Sequence, residues 1–98
     1  MDVYVVETLE APSGKEEQLK NELLKLAAFS RKERGCLYYN LYQHLEKPRC
    51  LTVLMGFKDK AAYDEHCQAP YIQEFVEKFG GILYGDVIED LYRGIDIR

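Results

Sequence analysis

Apolar residues recur along this chain at two spacings, and the change from one to the other marks its elements. Val3 to Leu9 is rich in β-branched residues and reads as a strand. The "APSG" stretch breaks it. From Lys15 to Glu33 the residues Leu19, Leu23, Leu26, Ala27 and Ser30 form a stripe at helical spacing, with charged residues filling most other positions. Gly35 stands where a glycine commonly ends a helix. "GCLYYNLYQH", residues 35–44, then predicts a second strand. One of its faces reads Leu37, Tyr39, Leu41 and Gln43; the other reads Tyr38, Asn40, Tyr42 and His44. "EKPR" predicts a turn, and Cys50 to Phe57 a third strand.

Asp59 can cap a short helix over Lys60 to Gln68. Pro70 suits the first turn of another, with Tyr71, Phe75 and Phe79 spaced four apart on one face. Gly80 and Gly81 end it, and Asp86 to Gly94 predicts the last strand. The order is β-α-β-β-α-β with the second helix in two pieces. That is the α+β, ferredoxin-like plan: an antiparallel sheet with its helices on one side, here as one domain over residues 1–98. The plan leaves a second sheet face bare. If Val3, Val5, Leu37, Tyr39, Val53 and Met55 meet the helices, then Tyr4, Val6, Tyr38, Tyr42, Leu54 and Tyr92 face the other way. Leaving such residues in water forfeits about 1.5–3 kcal/mol per large side chain. A second copy packed sheet against sheet is the expected cover, and a homodimer the expected assembly.

Charge and cysteine content narrow the functions that fit. The net charge of −4 argues against a nucleic-acid partner. The basic run "RKER", Arg31 to Arg34, falls where the first helix should end and reads as cations complementing its C-terminus. Three cysteines, Cys36, Cys50 and Cys67, show no CxxC spacing, which predicts neither a disulfide framework nor a thiolate metal site. They read as small hydrophobes. The N-terminal stretch lacks the pattern of a signal peptide and no apolar run approaches the roughly 20 residues of a membrane span, so a cytoplasmic protein with no membrane partner is expected.

Three segments carry a family likeness. "APSGKEEQLKNELLKLA", "RGCLYYNLYQ" and "FKDKAAYDEHCQAPYIQEF" together resemble the antibiotic biosynthesis monooxygenase (ABM) domain family, which includes quinol monooxygenases. The third segment has an aromatic ending its strand, an Ala-Ala helix, a His, and a Pro-aromatic pair four residues on. The resemblance implies a dimeric α+β barrel with a small apolar pocket in each subunit. It also implies oxygenation of a small quinol- or anthrone-like aromatic by dioxygen, with no metal, flavin or haem cofactor. A deprotonated phenol can itself pass an electron to dioxygen, so the protein need supply only a dry cavity, a base and a hydrogen bond to the developing oxyanion. Two positions depart from the family: Met55 and Phe57 stand where it often has Glu and Trp. Against the haem-degrading branch, the matching positions are Glu7, His66 and Val76, and valine cannot ligate iron.

On this reading His66 is the candidate base, its ordinary titration range suiting proton transfer near neutrality. The plainer alternative is a histidine capping its own helix. Asn40 and Tyr42 share a strand face and are the candidate hydrogen-bonding partners, or else dimer-interface residues. Phe57, Tyr71 and Phe75 are candidate pocket walls, and Tyr63, three residues before His66, could orient the imidazole. Tyr39 is expected in the core and His44 in solvent. Glu7, inside an apolar strand, needs a partner. It is expected to pair with Arg93 on the last strand, the alternative being a protonated acid facing the pocket. A non-oxidative dimeric barrel that binds or isomerises a small metabolite is the competing function.

Overall fold

The computed structural model describes every residue of the chain except 82, 84 and 86. Seven elements follow in order: β1 (Val3–Glu10), α1 (Glu16–Ser30), β2 (Cys36–Gln43), β3 (Cys50–Phe57), α2 (Lys60–Gln68), α3 (Pro70–Phe79) and β4 (Ile88–Arg93). Asp86, placed in the last strand by the sequence, lies outside the described residues. The strands form one antiparallel sheet in the order β2-β3-β1-β4, the ferredoxin-like α+β arrangement.

Side-chain alternation along the strands sets the core. Val5 and Leu9 of β1, Tyr39 of β2, and Leu51, Val53, Met55 and Phe57 of β3 all point to one face. They meet Leu19, Leu23, Leu26 and Ala27, the stripe of α1, together with Phe79 of α3. Asp59 caps α2 through its carboxylate, which accepts from the Ala62 N–H at 2.8 Å. Pro70 begins α3, where its missing N–H costs nothing.

Two local expectations are corrected. The first helix ends at Ser30 rather than Glu33, because the residues after it are recruited by tertiary contacts. Arg31 reaches across to β2, its Nε and Nη2 donating to the Tyr39 carbonyl at 3.1 and 2.6 Å. Gly35 is not a left-handed helix cap, since among the described residues only Gly14 and Gly85 have positive φ. A Cβ at position 35 would run into the Cβ of Ala62, so glycine is needed there to let α2 approach.

The second correction concerns β2. Its pairing with β3 slips by one residue between Cys36 and Tyr38, leaving Leu37 as a bulge, half exposed, instead of on the helix face. Beyond the bulge the alternation holds, with Tyr39 inward and Tyr38, Asn40 and Tyr42 outward. On this outer face a row of residues crosses the sheet: Tyr38, Gly56, Tyr4 and Tyr92. The Tyr38 ring lies against Gly56, filling the space a side chain would take, and stacks on Tyr4 with centroids 6.3 Å apart. Leu54 and Val6 occupy the next row between Asn40 and Asp90. Among the described residues no helix covers this side.

Candidate active site

Between the helices and the inner sheet face lies a cavity of about 360 Å³. Its walls are mainly apolar: Leu9 and Met55 from the sheet, Leu26 from α1, and Ile72, Phe75 and Val76 from α3. Six lining residues carry polar or ionisable side chains: Glu7, Tyr39, Tyr63, His66, Cys67 and Glu89. No lysine or arginine is among the described residues that line it.

His66 reaches the cavity from α2 and is only 5% exposed. Its backbone carbonyl serves the helix end, but its ring does not cap the helix. Instead Nδ1 lies 3.1 and 3.2 Å from the two carboxylate oxygens of Glu33, which follows α1. A carboxylate only accepts, so Nδ1 carries a proton, and in the neutral ring the lone pair is then on Nε2. Nε2 has no partner among the described residues. Phe57 and Tyr39 hold the ring from behind, with centroids at 5.0 and 6.5 Å. The product is a fixed tautomer with its basic nitrogen free.

A second polar group sits on the sheet. Glu7 of β1 pairs in register with Glu89 of β4, while Arg93 pairs with Val3 four residues along the strand, so the expected Glu7–Arg93 pair does not form. Burial, with the hydrogen bond and charge of Glu89, pushes the Glu7 carboxyl up to about 9. A proton is therefore held between the two carboxyl groups at neutral pH. The Tyr63 hydroxyl donates to Glu89, and not to His66. Tyr63 stands near the imidazole ring, 6.4 Å between centroids, without hydrogen-bonding it. Burial likewise raises the Tyr39 hydroxyl and the Cys67 thiol, which leaves Cys67 protonated and unsuited to nucleophilic attack.

The remaining sequence candidates fall elsewhere. Phe57 is fully buried behind His66, off the cavity wall. Tyr71 stacks on Phe29 at 5.1 Å, outside the cavity, with its hydroxyl buried and unpartnered among the described residues. Asn40 and Tyr42 lie on the outer sheet face, exposed in the single chain, and the fold does not bring them to His66. His44 is exposed, its Nδ1 accepting from the N–H groups of Glu46 and Lys47 to shape the β2–β3 turn. Sequence reasoning missed Glu33, read as part of a basic run, and Glu89, whose meeting with Glu7 depends on strand register. Among the described residues no three His, Cys, Asp or Glu side chains cluster as metal ligands, and no helix is long and apolar enough to cross a membrane.

Fold and site together define a small α+β protein of ferredoxin-like topology whose apolar cavity presents an oriented histidine. The family model for antibiotic biosynthesis monooxygenases matches residues 2–78, and the chain belongs to that family, which places it with proteins of a monooxygenase-like kind. SO0527 of Shewanella oneidensis is 31% identical, with 93% of this chain and 88% of that one covered at a TM-score of 0.88. PA3566 of Pseudomonas aeruginosa is 27% identical over 97% and 95% of the two chains, at 0.89. A Deinococcus radiodurans protein, provisionally named an antibiotic biosynthesis monooxygenase, superposes at 0.90 over 98% and 95% of the chains; at 21% identity that shows the fold alone. The uncharacterized protein sll1783 of Synechocystis is 37% identical over 54 residues, 55% of this chain; the match spans 37% of its length.

Proposed function

We propose that the chain is a cofactor-independent monooxygenase that oxidises a small quinol- or anthrone-like aromatic with dioxygen. One observation carries this reading: a buried imidazole with Nδ1 fixed by Glu33 and Nε2 unpartnered among the described residues, lining a largely apolar cavity. Nε2 takes the phenolic proton. The resulting phenolate transfers one electron to dioxygen, and the aryloxyl radical and superoxide combine through a new carbon–oxygen bond. The peroxide oxygen takes the proton back from His66, and loss of water from the hydroperoxide leaves a carbonyl. A low-dielectric cavity favours each charge-sharing step over its aqueous counterpart. About 360 Å³ suits one to three fused rings.

The working unit in this reading is a homodimer, with Asn40, Tyr42, Leu54 and Val6 in the interface and not at the reacting atoms. Their uncovered sheet face supports it. A reducing, cytoplasmic setting suits three free cysteines. The non-oxidative reading, with an acid or sugar phosphate as ligand, has less support because the described lining offers no lysine or arginine to anchor an anion.

Oxygen uptake tests the proposal directly. With a panel of hydroquinones and anthrones, the native protein is expected to consume dioxygen, and His66→Ala to lose roughly 10²–10⁴-fold of the rate. Absence of uptake with every member, or an undiminished rate in the variant, overturns it.

A further inference from the structure

The polar groups of the cavity stand at two places. His66 enters from α2; Glu7 and Glu89 enter from neighbouring strands of the sheet. Two facing carboxylates alone define nothing, since such pairs occur in solvent at many sheet edges. The independent observation is His66, only 5% exposed, with a ring nitrogen that is unpartnered among the described residues on the same cavity. A ligand lying between them meets a base at one place and an acid pair at the other.

We propose that the Glu7–Glu89 pair is the specificity-determining pole of the cavity, binding a second hydroxyl or carbonyl of an uncharged aromatic and rejecting aromatic carboxylates. This rests on the reading that the cavity takes a phenolic aromatic. Glu89, exposed in the single chain, accepts from the Tyr63 hydroxyl and faces Glu7 in register, so the cluster converges on its carboxyl. A ligand hydroxyl adds one more donor to it. A ligand carboxylate would instead meet Glu89 with no lysine or arginine in the described lining to offset the repulsion. The other titratable lining groups, Tyr39, Tyr63, His66 and Cys67, offer no permanent positive charge.

The test is anaerobic calorimetric titration of the full chain at pH 7 with 1,4-dihydroxynaphthalene and with 4-hydroxy-1-naphthoate, which differ at the second group. The native protein is expected to favour the diol by about tenfold or more. Glu89→Gln, which removes a negative charge but keeps shape, is expected to shrink that ratio about fivefold. Equal affinities in the native protein, or an unchanged ratio in Glu89→Gln, overturn the inference. Binding of neither aromatic overturns it together with the reading it rests on. Preference for the diol without oxygen uptake supports the selectivity and overturns only the oxygenase reading.

Discussion

His66 Nδ1 and Glu33 Oε2 lie 3.1 Å apart although 33 positions separate them in the chain. This bond fixes which imidazole nitrogen is free. Glu33→Gln removes the obligate acceptor, and the amide can satisfy Nδ1 in either protonation state. The variant is expected to lose about ten- to a hundredfold in kcat/KM while remaining folded. Nitrogen NMR of the imidazole separates this from a packing defect: a single Nδ1-protonated tautomer in the native protein, a mixture in the variant. An unchanged tautomer with lower activity would mean Glu33 acts some other way.

Glu7 makes stability depend on pH in a definite direction. Its carboxyl rises from an ordinary 4.5 to about 9 in the fold, so the folded state binds the proton more tightly. The associated stabilisation is complete below about pH 4.5 and is lost as pH climbs through about 9. Allowing for solvent at the β4 edge, the loss is expected to be ~1–2 kcal/mol, visible as a falling melting temperature between pH 5 and 9. Glu7→Gln should flatten that slope. Parallel curves for the two proteins would contradict the assignment.

Gly35→Ala should be among the costlier single-methyl changes in this chain. The added carbon meets the Ala62 side chain, so α2, which carries His66, must move outward. A loss of about 1–3 kcal/mol is expected from denaturant unfolding. Ala62→Gly in the same chain should restore part of it; no restoration would locate the cost elsewhere.

Leu54→Arg addresses the assembly. Leu54 lies on the outer sheet face, level with Val6 and Asn40. Light scattering is expected to give a dimer for the native protein and a monomer for the variant, since an unpaired buried charge costs several kcal/mol. A native monomer at micromolar concentration would refute the interface.

Much of the fold was legible because its signals are local. The third strand, Cys50–Phe57, and the following helix, Lys60–Gln68, have the predicted bounds, the helix start being fixed by the capping carboxylate of Asp59. The end of α1 was misplaced because Arg31 and Glu33 belong to tertiary contacts with Tyr39 and His66, and nothing in a helical stripe announces them. Likewise the bulge at Leu37 leaves no mark on alternation read along one strand. Within the cavity, His66, Tyr63 and Phe75 could be nominated from helical spacing and family likeness. Glu89 could not, because its meeting with Glu7 is decided by which rung of β4 faces which rung of β1.

The bulge at Leu37 also bears on how such a chain can change. Every residue after it on β2 owes its side of the sheet to that one additional position: Tyr39 to the cavity, Asn40 and Tyr42 to the exterior. Pairing Leu37 with Gly56 would exchange the two sets at a stroke, turning Asn40 and Tyr42 to the inner face and Tyr39 outward, whereas deleting Leu37 would only remove the bulge and leave both sets in place. A one-residue gap between relatives at this point therefore straightens the strand and leaves its contribution to the chamber unchanged, while an unbulged strand of the same length would rewrite it.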